Sequence, residues 1–88
     1  MDRETRLKRL RFRSWHRGTK EADLMVGGYY DRFSANLSDE DIACYESLMD
    51  EEDVDIMAWA IGTALPPERA SGPMMTAMQR LDYIPIAG

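Results

Sequence analysis

One cysteine, one histidine and no long apolar run set the limits on this sequence. Cys44 stands alone, so no intramolecular disulfide or cysteine-rich metal framework can form, and a reducing compartment fits. His16 has the cation Arg17 beside it and no second ligand at useful spacing, so neither a metal centre nor a histidine-based catalytic set is expected. The serines lack a partner base, and no phosphate-cradling G-x-x-x-x-G-K-[ST] loop is present. The catalytic and metal-ligating sets are therefore expected to be empty, and the chain is not expected to be an enzyme. No stretch of eighteen apolar residues occurs, and the charged N-terminal residues lack the apolar core of a secretory signal. The expectation is a cytoplasmic protein without membrane insertion.

At 88 residues the chain is expected to form a single helical domain with one modest core, stabilised by roughly 4–13 kcal/mol on per-residue scaling. Charge divides it. Residues 1–20 hold eight of the eleven Lys/Arg against Asp2 and Glu4, a balance of +6, whereas residues 21–88 sum to -11. From Ser38 to Asp55 there are nine acids and no base. A basic arm can attract nucleic acid, but the acidic remainder repels phosphate at the same range, and nucleic acid is not expected as a partner. The clustered carboxylates lack the glycine and alternating ligand pattern of a calcium loop.

Five helices follow from the apolar spacing. The first covers 3–14, with Leu7, Leu10 and one aromatic docked and basic faces outward. The second, about 19–35, carries Ala22, Val26, Tyr29, Tyr30 and Phe33 on one stripe, with Gly27-Gly28 marking a close approach. Ser38 and Asp41 make a variant capping box for a third helix that buries Ile42, Tyr45, Leu48 and Met49, with Cys44 partly buried beside them. Asp53 is the expected N-cap of a fourth at about 54–64, with Met57, Ala60, Ile61 and Ala64 inward and Leu65-Pro66-Pro67 ending it. Pro73 opens a fifth, with Met74, Met78 and Leu81 apolar; the seven methionines read as core. The expected architecture is an all-α, compact five-helix bundle with short connections: residues 1–17 a basic first helix and junction, 18–82 an acidic helical body, 83–88 a tail docked by Ile84 or loose.

The junction Trp15-His16-Arg17-Gly18-Thr19-Lys20-Glu21 organises the rest. Gly18 with Glu21 three residues later suits an N-cap and its N3 acid, but leaves Arg17 without a capping duty. The alternative is a recognition surface in which Arg17, the Cβ-free Gly18 and Glu21 face outward, with Asp23 also open to solvent or a partner.

Arg17-Gly18-Thr19-Lys20-Glu21 followed by Asp23 resembles the R-G-x-x-E motif of the SdhE family, the small bacterial flavinylation factors of succinate dehydrogenase. The likeness continues in Leu37-Ser38-Asp39-Glu40, the acidic turn Asp50 to Asp53, Ile56-Met57-Ala58-Trp59 and Leu65-Pro66-Pro67. His16 stands where many relatives have a second basic residue. The resemblance implies a five-helix chaperone-like assembly factor. Its partner would be the flavoprotein subunit of succinate dehydrogenase, and of fumarate reductase where present, and it would promote covalent attachment of FAD to that client. It implies that Arg17, Gly18, Glu21 and Asp23 are partner-binding, that FAD belongs to the client and is not bound stably by this chain, and that the chain is a monomer alone. The competing expectation is an acidic interaction module, inhibitor-like or antitoxin-like, that uses the Ser38–Asp55 face and not Arg17.

Overall fold

A computed structural model describes residues 2–84. Helix α1 spans Arg3–Trp15, α2 Lys20–Phe33, α3 Asp39–Met49, α4 Asp53–Ile61 and α5 Pro73–Gln79; 3-10 turns occupy Ser34–Asn36 and Glu68–Ala70. Among the described residues there is no strand, and the five-helix, all-α reading holds.

Local chemistry sets most of the boundaries. Asp2 caps α1 by accepting the Thr5 amide at 2.7 Å, and the Ser38–Asp41 capping box of α3 is complete, with both reciprocal bonds at 3.1 Å. Three expected boundaries are corrected. Thr19, not Gly18, caps α2, its hydroxyl accepting the Ala22 amide at 3.1 Å; a hydroxyl acceptor does what glycine cannot. Glu52, not Asp53, occupies the N-cap of α4, and that helix stops at Gly62, whose φ of +95° is the left-handed end a glycine supplies without strain. The prolines at 66 and 67 therefore follow the stop and do not cause it.

Leu10, Val26, Ile42, Tyr45, Ile56 and Met78 are sealed at the centre. The expected inward set of α3 is buried throughout, and that of α2 is buried save for Phe33, which packs partly against the core. On α4 the phase differs from expectation. Ile56, Trp59 and Ala60 face in, while Ile61 is 54% exposed and Ala64 lies beyond the helix on the surface. Cys44 is exposed, not partly buried. On α5, Met75 joins Met78 in the core, with Met74 and Leu81 packed at its edge. Tyr83 is buried edge-on against Tyr29, with ring centroids 5.5 Å apart, and Ile84 packs partly on the core; the rest of the expected tail, and Met1, lie outside the described residues.

Two relationships hold α1 in place. Position 27 faces the Trp15 indole, where a Cβ would come within 2.7 Å of Cγ and nearer to two other ring atoms. The close approach expected at the glycine pair is thus an aromatic ring lying on the helix backbone. Beneath it, the Tyr45 hydroxyl lies 3.0 Å from both Ser14 Oγ and the Val26 carbonyl, so the buried polar side chain of α1 has a partner on α3 and a link to α2.

Candidate functional site

The charge split of the sequence becomes a ladder. Arg3, Arg6, Arg13 and Arg17 pair with Asp39, Glu46, Asp50 and Asp53, each at 2.6 or 2.7 Å. The arginines recur at helical spacing along α1 and just past its end, and the acids recur along α3 and into α4, so the rungs run in the same order on both sides. Arg69 takes a fifth acid, Glu51, through two bonds of 2.8 and 3.1 Å. Arg6 holds the Glu46 carboxyl below its ordinary range by hydrogen bonding, and Arg69 does the same to Glu51. Half of the basic arm and four of the nine acids of the run are therefore occupied by each other.

The final rung is the best protected. The Arg17 side chain is only 9% exposed. Its Nε–H donates to Asp53 Oδ1 at 2.7 Å, and its two terminal nitrogens donate to the Met49 carbonyl at 3.2 Å and the Glu51 carbonyl at 3.0 Å. Those carbonyls close α3 and its turn, where no intrahelical donor remains and the helix dipole favours a cation. Arg17 thus has a capping duty after all, at the end of a different helix. The expectation that it faces outward is corrected: the planar fork points inward and locks the α1–α2 junction to the α3–α4 junction.

The other motif residues divide around this lock. Asp23 is half-buried, and its Oδ1 accepts the Arg17 backbone N–H at 2.6 Å, which fixes the junction from the α2 side. It is therefore less open to solvent than its helical phase suggested. Gly18 is exposed with φ +112°, and a Cβ there would stand 3.7 Å from Asp53 Oδ2. The glycine is required by backbone conformation more than by room. Glu21 is exposed, and among the described residues it has no ion-pair partner. One turn before the junction, Phe12 and His16 stack at 4.0 Å, and His16 Nδ1–H donates to the Phe12 carbonyl at 2.7 Å. Arg17 and Asp23 are thus brought together below the surface, while Gly18 and Glu21 remain on it.

Asp53, Met49 and Glu51 are the participants that sequence reasoning missed. Each lies more than thirty residues from Arg17, and only the excess of acid opposite a basic helix signalled them. A cleft between α3 and the start of α5 is lined by Glu40, Asp41, Cys44 and Glu51, with Arg69 already tied to Glu51. Among the described residues no group of three metal-ligating side chains converges, and no helix is long and apolar enough to cross a membrane.

A profile of the family described as "Flavinator of succinate dehydrogenase" matches residues 8–82. The "FAD assembly factor SdhE" of Acetobacter pasteurianus is 32% identical over 73 residues, which are 83% of this chain and 67% of that protein. "Succinate dehydrogenase assembly factor 2, mitochondrial" of Yarrowia lipolytica is 32% identical over 82 residues, 89% of this chain and 57% of the relative. The protein of the same name from Cryptococcus neoformans is 31% identical over 80 residues, 90% and 46% respectively. The chain thus spans 67% of the bacterial relative's length and about half of these fungal ones.

Proposed function

Because the chain belongs to the family described as flavinator of succinate dehydrogenase, we propose that it binds the flavoprotein subunit of that enzyme and promotes covalent attachment of FAD to it. The observation that carries this reading is the match over residues 8–82, which takes in the whole junction from Arg17 to Asp23.

The chain acts as a helper, not as the catalyst. Covalent attachment needs a histidine of the client held in line with the flavin methyl group, and the effective molarity of that pair limits the rate. A protein that binds one client conformation in preference to others raises the population in which the two groups meet, by no more than its preference for that state. The junction supports such a role because hydrogen bonds tie it to the α3–α4 turn and to α2. Arg17 and Asp23 position the loop from below, Gly18 gives close backbone access, and Glu21 offers a free carboxylate to a cation of the client. FAD stays with the client. The same contact serves the fumarate reductase flavoprotein where that enzyme is present, and the chain works as a cytoplasmic monomer before it meets its client.

Gly18→Leu tests the contact directly. Thr19, not Gly18, caps α2, so a side chain at 18 covers the exposed backbone without removing the cap, although the φ of +112° strains it there. The expected result is retained helix content, a lowered Tm and loss of client capture. Retained capture by a folded Gly18→Leu protein overturns the assignment of this surface.

A further inference from the structure

The Gly18–Glu21 surface is too small to hold a protein client by itself. Standard protein interfaces bury about 800 Å² on each partner, roughly a seventh of this chain's 5649 Å² surface, and four junction residues supply a fraction of that. The contact must continue onto neighbouring ground. Asp53, which pairs with Arg17 and lies beside Gly18, is the first residue of α4. From there the outer face of α4 carries Val54, 67% exposed, and Ile61, 54% exposed. These two are seven residues apart with Ala58 between them, one stripe about 10 Å long on the side opposite Ile56, Trp59 and Ala60.

That stripe has no role within the chain. Val and Ile are poorer helix formers than the charged residues normally found on a solvated face, and among the described residues neither packs in the core cluster. Its borders are acidic. Glu52 and Asp55 are exposed at the same end of α4, and among the described residues neither has an ion-pair partner, as is true of Glu21. Five acids of the run, Asp39, Glu46, Asp50, Glu51 and Asp53, are held by arginines, whereas Glu52 and Asp55 are not.

We propose, resting on the function given above, that the outer face of α4 is the second half of the client interface. It receives an apolar spot on the flavoprotein, rimmed by Lys or Arg that face Glu21, Glu52 and Asp55. The apolar centre supplies affinity, and the acidic border sets orientation and encounter rate.

Binding of purified client flavoprotein to the full chain, measured by titration calorimetry, tests this with three variants. Val54→Ala/Ile61→Ala removes the stripe while raising helix propensity, so the fold is retained; binding is expected to weaken about tenfold or more. Affinity within about twofold of the unmodified protein overturns the proposal. Glu21→Ala separates the two claims: if it weakens binding while the double variant does not, the junction stands and the stripe falls, and if neither weakens binding both fall. The chemistry of the partner is read from Val54→Lys against Val54→Glu, beside Glu52 and Asp55. The lysine variant is expected to bind more weakly, because it faces a basic rim; the opposite order overturns that rim.

Discussion

Arg17 caps a helix it does not belong to: its guanidinium donates to the Met49 carbonyl, 32 residues further along the chain, while its Nε–H holds Asp53. A motif arginine that looks like a surface hook is thus a structural tie, and its removal should be felt in stability as well as in binding. Arg17→Ala leaves two carbonyls and a half-buried carboxylate without their donor, a loss of about 2–3 kcal/mol. For a domain of this size that lowers Tm by about 10 °C or more. Arg17→Lys should recover only part of it, because a point charge cannot serve three acceptors in a fork. Thermal denaturation followed by circular dichroism decides; an unchanged Tm for Arg17→Ala contradicts the tie.

Trp15 and Gly27 form the second constraint. Gly27→Ala puts a methyl group into the indole ring, so α1 must shift or Trp15 must leave its seat. The expected cost is about 1–3 kcal/mol even though alanine is the better helix former. Trp15 fluorescence should report a more solvated indole. A stabilised Gly27→Ala protein contradicts this packing.

The acid limb of stability follows from the carboxylates tied by cations or capping bonds. Arg6 holds Glu46 below its ordinary 4.5, and Arg69 does so for Glu51; the Thr5 amide holds Asp2 below its ordinary 3.8. A carboxyl depressed in the fold adds stability that is complete above its unfolded value and is lost as pH falls through the folded one. Tm should therefore be level near neutrality and fall once pH drops below the ordinary carboxylate range. Glu46→Gln should flatten that fall, and an acid limb unchanged by Glu46→Gln contradicts the ladder's role.

At the alkaline end the tyrosines act with the opposite sign. Burial pushes Tyr29 up to about 12 from 10.0 and raises Tyr45 and Tyr83 as well. Neutral phenols are favoured by the fold, so stability is complete below 10 and falls as pH rises above it. Tyrosinate absorbance should appear together with loss of helix signal. Ionisation of all the tyrosines at the ordinary value with the helices intact contradicts the buried aromatic cluster.

Helix existence was legible wherever a stripe was long. Ala22 to Phe33 and Ile42 to Met49 give one consistent phase over several turns, and both faces pack as read. The phase of α4 was not legible, because in nine residues Met57–Ala60–Ile61 and Ile56–Trp59–Ala60 have equally helical spacing. What separates them is the left-handed turn at Gly62, which ends the helix before Ala64 can join a stripe. The motif residues were legible as a group, but the inward direction of Arg17 was not. Its acceptors are backbone carbonyls at the end of another helix, and carbonyls carry no sequence signal. The same holds for Ser14, whose burial depends on Tyr45 coming from α3.

Covalent flavin on the client is the most direct readout of the account. In cells lacking this protein, complemented with the unmodified chain, Gly18→Leu or Glu21→Ala, in-gel flavin fluorescence of the succinate dehydrogenase flavoprotein reports loading. The expectation is full loading with the unmodified chain and clearly reduced loading with each variant at equal abundance and helix content. Equal loading in all three strains, or in cells with no copy of the protein, contradicts it.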